Sequence, residues 1–315
     1  MTAPRLALAY ALDLLFGDPE WFPHPVRWFG AMIRAGERWL RRAGRAGRTP
    51  GEEILAGAAL TGSVVAIAWA MGRPRNAGWQ ILLASTALAT RCLLDEASAV
   101  IRALDGDDLA LARRRLARIV GRDTGRLNES EIARAVIETL AESACDGIVA
   151  PLFWLMAGGV PGAMAYKAVN TLDSMIGHPE PEYRYFGRVA ARLDDAANFI
   201  PARLTALGIV AAAKVQGLDA RGAREIWLSD GDKHASPNAG QCEAAMAGAL
   251  GVRLGGRNSY EDRVHNSPQL CAGGRPPSVR DARAALSMVA TVSALAFAAG
   301  LLVAMARRRQ RWRST

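Results

Sequence analysis

Hydrophobic positions along this chain are gathered into blocks, and the blocks differ in how completely they exclude charge. Ile54 to Met71 is an 18-residue run and Ala284 to Ala306 a 23-residue run without a charged side chain. Each is long enough to cross about 30 Å of hydrocarbon as a helix. Four weaker blocks accompany them: Leu6 to Phe16, interrupted by Asp13; Ala77 to Thr90; Gly147 to Tyr166; and Phe199 to Ala213, interrupted by Arg203. The pattern predicts an all-α fold, a polytopic helical membrane protein with polar helical loops. It forms a single membrane-embedded domain over residues 1–315, with a polar region at 216–283. The number of crossings stays open at this level.

Around residues 128–173 the polar and apolar patterns meet. Asn128 is suited to cap a helix, with Glu129 and Glu131 in the first turn complementing its dipole. The spacing predicts a helix over Glu131 to Asp146. On it Glu131, Glu138, Glu142 and Asp146 fall within roughly 60° of one another, opposite Ala133, Val136, Ile137, Leu140 and Ala144. Such a stripe is a solvated face neutralised by Arg134 and the arginines upstream, or a face that a cation covers. Gly147 to Tyr166 then carries no charge but holds Pro151, Gly158, Gly159, Pro161 and Gly162. It reads as a broken helix, of the kind that lies at sites in membrane proteins. Lys167, Asn170 and Asp173 follow as successive i, i+3 neighbours, which puts an ammonium, an amide and a carboxylate in one row.

Charge adds orientation to this picture. The formal net charge of +9 comes mainly from arginines at 38–48 and 307–313, both flanking apolar blocks as cytoplasmic ends do. No nucleic-acid motif accompanies them, nor any interleaved stacking aromatic apart from Trp312, so no nucleic-acid partner is expected. Asp13 interrupts the first block and no small-x-small site precedes the Gly17-Asp18-Pro19 turn, so that segment is expected to be retained. Cys92, Cys145, Cys242 and Cys271 lack metal-ligand spacing and read as small core residues.

The remaining polar stretches offer ligand chemistry. His24 lies between Pro23 and Pro25 in a stiff, extended piece before a helix expected over Trp28 to Arg42; it suits an anionic ligand or a structural role. Asp105-Gly-Asp-Asp is a turn and cap for an arginine-rich helix that leads to Gly121-Arg122-Asp123-Thr124. Those arginines neutralise the acidic helix or bind phosphate. A helix over Gly187 to Phe199, ending before Pro201, carries Asp194-Asp195-x-x-Asn198, half of a Mg²⁺ site or an exposed ion-pair face. Further on, Lys233 and the run Ser236-Pro-Asn238-Ala-Gly240 precede a helix expected over Pro237 to Leu250, with Ser236 as its cap; its open N-terminus suits an anion. Gly255-Gly256-Arg257-Asn258 reads as a glycine turn that closes over a ligand.

Taken together these stretches resemble the CobD/CbiB family of adenosylcobinamide-phosphate synthases. The matching residues are Gly17-Asp-Pro with His24-Pro-Val; Arg122-Asp-Thr; the run from Glu138 to Trp154; Lys167-Ala-Val-Asn-Thr-Leu-Asp-Ser-Met; Asp194-Asp-Ala-Ala-Asn with Pro201-Ala-Arg-Leu; and Ser236-Pro-Asn-Ala-Gly with Glu243-Ala-Ala-Met-Ala-Gly. They cover nearly the whole chain in family order. One departure follows Asn258-x-Tyr260, where the family has a glycine and this chain has Glu261 or Asp262.

The resemblance implies an ATP-dependent amide ligase of cobalamin biosynthesis at the inner membrane. Its partners would be a corrinoid acid, an aminoalcohol phosphate, the lipid bilayer and other cobalamin-assembly enzymes. Such chemistry passes through an acyl phosphate and needs Mg²⁺ with ATP, cations for the phosphates and a base for the amine. On chemical grounds Asp173, Asp194 and Asp195 are candidates for metal, and Lys167, Lys233, Ser236, Asn238, Gly240, Arg122 and His24 for phosphate or substrate. Glu138 and Glu142 are candidates for the amine, with Asn170 beside Lys167. A Mg²⁺-dependent prenyltransferase using Asn170, Asp173, Asp194 and Asp195 is an alternative, and a transporter with its site at the broken helix is another. Cytoplasmic substrates would put 216–283 on the cytoplasmic side, yet Arg307, Arg308, Arg309, Arg311 and Arg313 demand that side too. The last apolar block is therefore expected to be re-entrant or to bend at Gly300.

Overall fold

The computed structural model describes residues 1–19, 21–42, 49–74, 76–178, 180–260 and 263–313. Expectations that fall on Arg45, Arg48, Pro179, Glu261 and Asp262 lie outside the described residues. The chain begins with α1 (Ala3–Phe16), α2 (Pro25–Arg42), α3 (Pro50–Met71) and α4 (Ala77–Ala87). Then come α5 (Thr90–Asp105), α6 (Leu109–Leu116), α7 (Glu129–Ala144), a π-helical turn (Cys145–Val149) and α8 (Ala150–Ile176). After α9 (Arg188–Val215), α10 (Ala220–Asp230) and α11 (Ala239–Leu250), β1 (Leu254–Tyr260) and β2 (Arg263–Leu270) precede α12 (Val279–Arg313). The fold is that of a helical polytopic membrane protein. Among the described residues five helical stretches are long and apolar enough to cross a membrane: Pro50–Met71, Ala77–Asp105, Glu129–Ile176, Arg188–Val215 and Val279–Arg307.

The chain forms two compact units. One comprises residues 1–89, 150–198 and 298–315, the other 90–149 and 199–297, and α9 and α12 run from one into the other. In the first unit α3 packs on α8 and its approaches. Gly57 is in contact with the Phe186 carbonyl, which a Cβ would meet at 1.8 Å, and Gly72 lies against Pro161. In the second unit α7 is buried along most of its length by Ile132, Ala133, Val136, Ile137 and Leu140. There α10 approaches α11 where Gly222 meets Gly248.

Local signals set several boundaries as expected. Asn128 closes a capping box with Glu131, and α7 therefore begins at Glu129. Asp108 caps α6. The break in the apolar stretch is real: a π-helical turn links α7 to α8, and Gly159 (φ 66°, ψ −162°) kinks α8 two residues before Pro161. No side chain other than glycine adopts that backbone readily.

Other boundaries differ from expectation. The second helix starts at Pro25, not Trp28, because proline suits the first helical position and His24 Nδ1 accepts the Val26 N–H at 3.3 Å. α9 does not stop before Pro201 but continues to Val215. The Ala197 carbonyl that the proline leaves without its usual donor accepts a hydrogen bond from Trp154 Nε1 at 3.2 Å, which removes the main reason for a helix to end there. α11 starts at Ala239 rather than Pro237, with Asn238 preceding it; Ser236 Oγ still accepts the Asn238 and Ala239 N–H groups at 3.3 and 3.2 Å. Gly255 to Asn258 is not a turn over a ligand but part of β1, paired antiparallel with β2 (Asn258 opposite His265, Gly256 opposite Ser267). Its two glycines hold φ of 76° and 87° beside a bulge in register.

Finally, α12 is one continuous 35-residue helix, about 52 Å long at 1.5 Å per residue, without the expected bend at Gly300. Gly300 serves packing: a Cβ there would lie 3.3 Å from Leu6 Cδ2. Of the cysteines Cys145 and Cys242 are buried, but Cys92 is exposed and Cys271 half-buried.

Candidate functional site

The residues singled out by chemistry fall into two groups, one in each unit. In the first unit the row on α8 is formed as expected, and the segment after it folds back tightly. Gly177 N–H donates to Asp173 O at 2.7 Å. A Cβ on Gly187 would lie 1.6 Å from Ile176 O, and one on Gly177 2.0 Å from Asp173 Oδ1. Only glycine permits this return, which brings the first turns of α9 back to the Asp173 end of α8. Tyr166 donates its hydroxyl to Asn198 Oδ1 at 3.0 Å, and Asn198 Nδ2 donates to Asp194 Oδ2 at 3.0 Å. Asn198 is thereby fixed in one amide orientation, and Asp194 is held by one oxygen.

The other oxygen, Asp194 Oδ1, is buried and has no partner at hydrogen-bond geometry. Asn170 and Lys167 of α8, with Asp195, are its polar and charged neighbours. Asp195 itself lies 3.8 Å from Arg192. The structure thus brings together Lys167, Asn170, Asp194 and Asn198. Among the described residues no three His, Cys, Asp or Glu side chains are gathered closely enough to hold a metal ion alone. His24, in the same unit, is buried, and its Nε2 is 3.0 Å from Asp18 Oδ1.

In the second unit the acidic face of α7 is not a solvated stripe. Glu138 is 5% exposed and fully engaged. Its Oε2 accepts from Arg122 Nη2 at 2.6 Å and its Oε1 from the Gly255 N–H at 2.8 Å. Arg122 Nη1 donates to Asn258 Oδ1 at 2.9 Å. Arg134, one turn before Glu138, donates to the carbonyls of Gly255 and Arg257 and to Asn258 Oδ1. The hairpin is therefore pinned to α7 by two arginines and a carboxylate. Ser259 ties it to Asp123, donating its hydroxyl at 2.7 Å and accepting the Asp123 N–H on its carbonyl at 2.8 Å. Glu142, one turn further along α7, is exposed. Arg122, expected to meet phosphate, has two guanidinium nitrogens committed to Glu138 and Asn258.

Sequence reading missed Glu243 and Asn258 as members of this network, and anticipated Arg134 as a counter-charge to the acidic face but not as a donor to the hairpin. Glu243 is 6% exposed on α11. Burial, and after it the carboxylates of Glu138 and Glu142, push its carboxyl well above the usual range. A signal was present: Glu243 is the one charged residue in the otherwise uncharged stretch from Ala235 to Val252. The loop before α11 adjoins the same face. His234 lies close enough to Glu138 to feel its charge, and burial holds its imidazole below the usual value. Its Nδ1 accepts the Ser236 N–H at 3.0 Å. Gly240 allows the loop to close: a Cβ there would lie 2.4 Å from Gly231 O and 2.6 Å from His234 Cβ. Lys233 Nζ donates to Asp230 Oδ1 at 2.6 Å while its side chain remains 48% exposed.

A family model described as CobD/Cbib protein matches residues 6–289. The chain is similar to the cobalamin biosynthesis protein CobD of Klebsiella pneumoniae, with 45% identity over 307 residues, covering 95% of this chain and 96% of that one. It is 48% identical over 269 residues to the CobD of Geobacter metallireducens, covering 83% and 84%. It is 42% identical over 317 residues to the cobalamin biosynthesis protein CbiB of Salmonella typhimurium, covering 96% and 97%. No solved structure matches the chain.

Proposed function

The chain belongs to the CobD/CbiB family, and from that premise we propose that it is a cobalamin-biosynthesis enzyme of the inner membrane. The reaction is the ATP-dependent ligation of adenosylcobyric acid to (R)-1-aminopropan-2-ol phosphate, or a related aminoalcohol phosphate, giving adenosylcobinamide phosphate. A carboxylate oxygen of the corrinoid attacks the γ-phosphorus of ATP and ADP leaves. The amine nitrogen then attacks the acyl phosphate, inorganic phosphate leaves, and the nitrogen gives up its proton to a base.

The observation that carries the reading is the half-buried Asp194 carboxylate, held through one oxygen by Asn198, with its other oxygen shut from solvent and without a hydrogen-bond partner. A buried carboxylate oxygen in that state is costly unless a cation or donor meets it. One or two carboxylates suit Mg²⁺, which keeps water and phosphate oxygens in its remaining positions. Asp194, with Asp195 beside it, would hold it there with water and phosphate oxygens in the remaining positions, where Mg²⁺ would shield phosphate charge; Asp173, expected as a third ligand, is not gathered with them. Lys167, beside Asp194, supplies a cation to the γ-phosphoryl group, and Asn170 orients it.

In the second unit Glu138 is a positioning residue, since it anchors Arg122 and the hairpin. Glu142, exposed on the same face, takes the proton of the amine. Lys233 and the loop of Ser236, Asn238 and Gly240 offer donors to a substrate phosphate. Purified protein in lipid nanodiscs should release ADP only when both a corrinoid acid and an aminoalcohol phosphate are supplied. ADP release without the corrinoid, or turnover of a prenyl diphosphate, would overturn the reading.

A further inference from the structure

Among the described residues of the first unit, α2 is an 18-residue helix that packs against the membrane-length helices and is itself too charged to cross. Eleven of its 18 residues form three stripes, each displaced from the next by one residue, or about 100°. Phe29, Ile33, Gly36 and Leu40 form the first stripe. Phe29 and Ile33 are fully buried, and a Cβ on Gly36 would stand 2.4 Å from Leu60 Cδ1 of α3. Trp28, Met32, Ala35 and Trp39 form the second, at i, i+4, i+7 and i+11, and it faces outward: Trp28 is 47% and Trp39 75% exposed. Arg27, Arg34 and Arg38 form the third and are all exposed. The helix is fixed in this rotation at its C-terminal end, where the Arg41 guanidinium lies over the Tyr183 and Phe186 rings and donates to Glu182.

The geometry points to α2 as an interfacial helix, seated in the bilayer surface with Trp28 and Trp39 at the boundary of headgroups and chains and Arg27, Arg34 and Arg38 against the phosphates of anionic phospholipid. Three observations select this occupant. The stripes of tryptophan and arginine are adjacent, which is the arrangement that a surface apolar below and anionic above requires. α3, on which α2 packs where Gly36 meets Leu60, is long and apolar enough to cross a membrane and exposes Leu55 at 71%, so α2 lies beside a lipid-facing helix. α2 also crosses α8 at its Asp173 end, since a Cβ on Gly30 would lie 3.5 Å from Met175 Sδ. The placement is independent of which reaction the protein performs. Its consequence is that the Lys167 to Asp173 row opens at a membrane surface rather than at mid-depth.

The test uses the whole protein in vesicles containing lipids brominated near the headgroup. The tryptophan emission lost in a Trp28→Phe, Trp39→Phe variant isolates these two side chains from the other tryptophans. That component should be quenched by the brominated lipids and shielded from iodide in the water. At equal mole fraction, brominated phosphatidylglycerol should quench it at least about twofold more than brominated phosphatidylcholine, because arginines concentrate anionic lipid beside them. Arg34→Gln with Arg38→Gln should abolish that preference while leaving the quenching itself. Equal quenching by the two lipids in the wild type overturns the anionic recognition. Iodide access without lipid quenching overturns the interfacial placement. So does protection from both quenchers with the protein running as a dimer, which would assign the face to a second copy.

Discussion

In the second unit both oxygens of Glu138 and two nitrogens of Arg122 have protein partners, whereas in the first unit Asp194 keeps one buried oxygen with none. Glu138 is buried and Asp194 half-buried, yet the Glu138 carboxylate has a partner on each oxygen and Asp194 has one oxygen shut from solvent without one. A satisfied network rigidifies its surroundings, and an unsatisfied one is a place where something binds. On the proposed reading Glu138 and Arg122 frame the second unit, and Asp194 with Lys167 would act on substrate.

Removing a frame residue should have the largest effect. Arg122→Ala leaves the Glu138 carboxylate buried without its partner and should cost about 3–5 kcal/mol of stability, read as a lowered thermal transition in detergent. Arg122→Met with Glu138→Met should cost less than Arg122→Ala alone, since no buried carboxylate is stranded and Arg134 keeps its acceptors on Arg257 and Asn258. If Arg122→Ala instead leaves stability intact and stops ADP release, the contrast between frame and site is reversed.

Asp194→Asn keeps the shape and removes the charge. It should lower ADP release by roughly 10²–10³-fold and leave the thermal transition unchanged or raised. Lys167→Ala should abolish product formation while the protein remains inserted. Glu142→Gln should lower turnover by about 10²-fold without loss of stability, whereas Glu138→Gln should lose stability as well. Equal, mild losses in the two would return α7 to a merely structural acidic face.

The smallest effect sharpens the picture through pH. The raised Glu243 carboxyl binds its proton more tightly folded than unfolded. Its contribution to stability is therefore present below the ordinary glutamate value of about 4.3 and is lost as pH rises from there through the raised value. Glu243→Gln should remove that loss and raise the thermal transition at neutral pH relative to wild type, with little gain below about pH 4. An unchanged profile would place Glu243 outside the network.

What the sequence showed was what neighbouring residues decide. Asn128 and Glu131 cap α7 through a box three residues long, and Gly159 with Pro161 breaks α8 where it stands. The Lys167, Asn170 and Asp173 row follows from helical spacing alone. The hairpin was hidden because β2 is exposed along nearly all of its length, so no alternation marks it, and its strands exist only through pairing. The roles of Glu138 and Asp194 were hidden for a related reason. Identical carboxylates on similar helices differ only by which arginine or asparagine the tertiary fold brings to them.

Pro201 has a further consequence for how the molecule is made. A carbonyl left without a donor in hydrocarbon costs several kcal/mol, and Ala197 carries such a carbonyl until Trp154 reaches it. Trp154 precedes Ala197 in the chain, so a chain emerging from the ribosome has its donor already synthesised when α9 enters the bilayer. Insertion of α9 should then depend on prior placement of α8: with Trp154→Phe, the nascent α9 should stall or cross inefficiently, even though the finished protein would lose a single hydrogen bond.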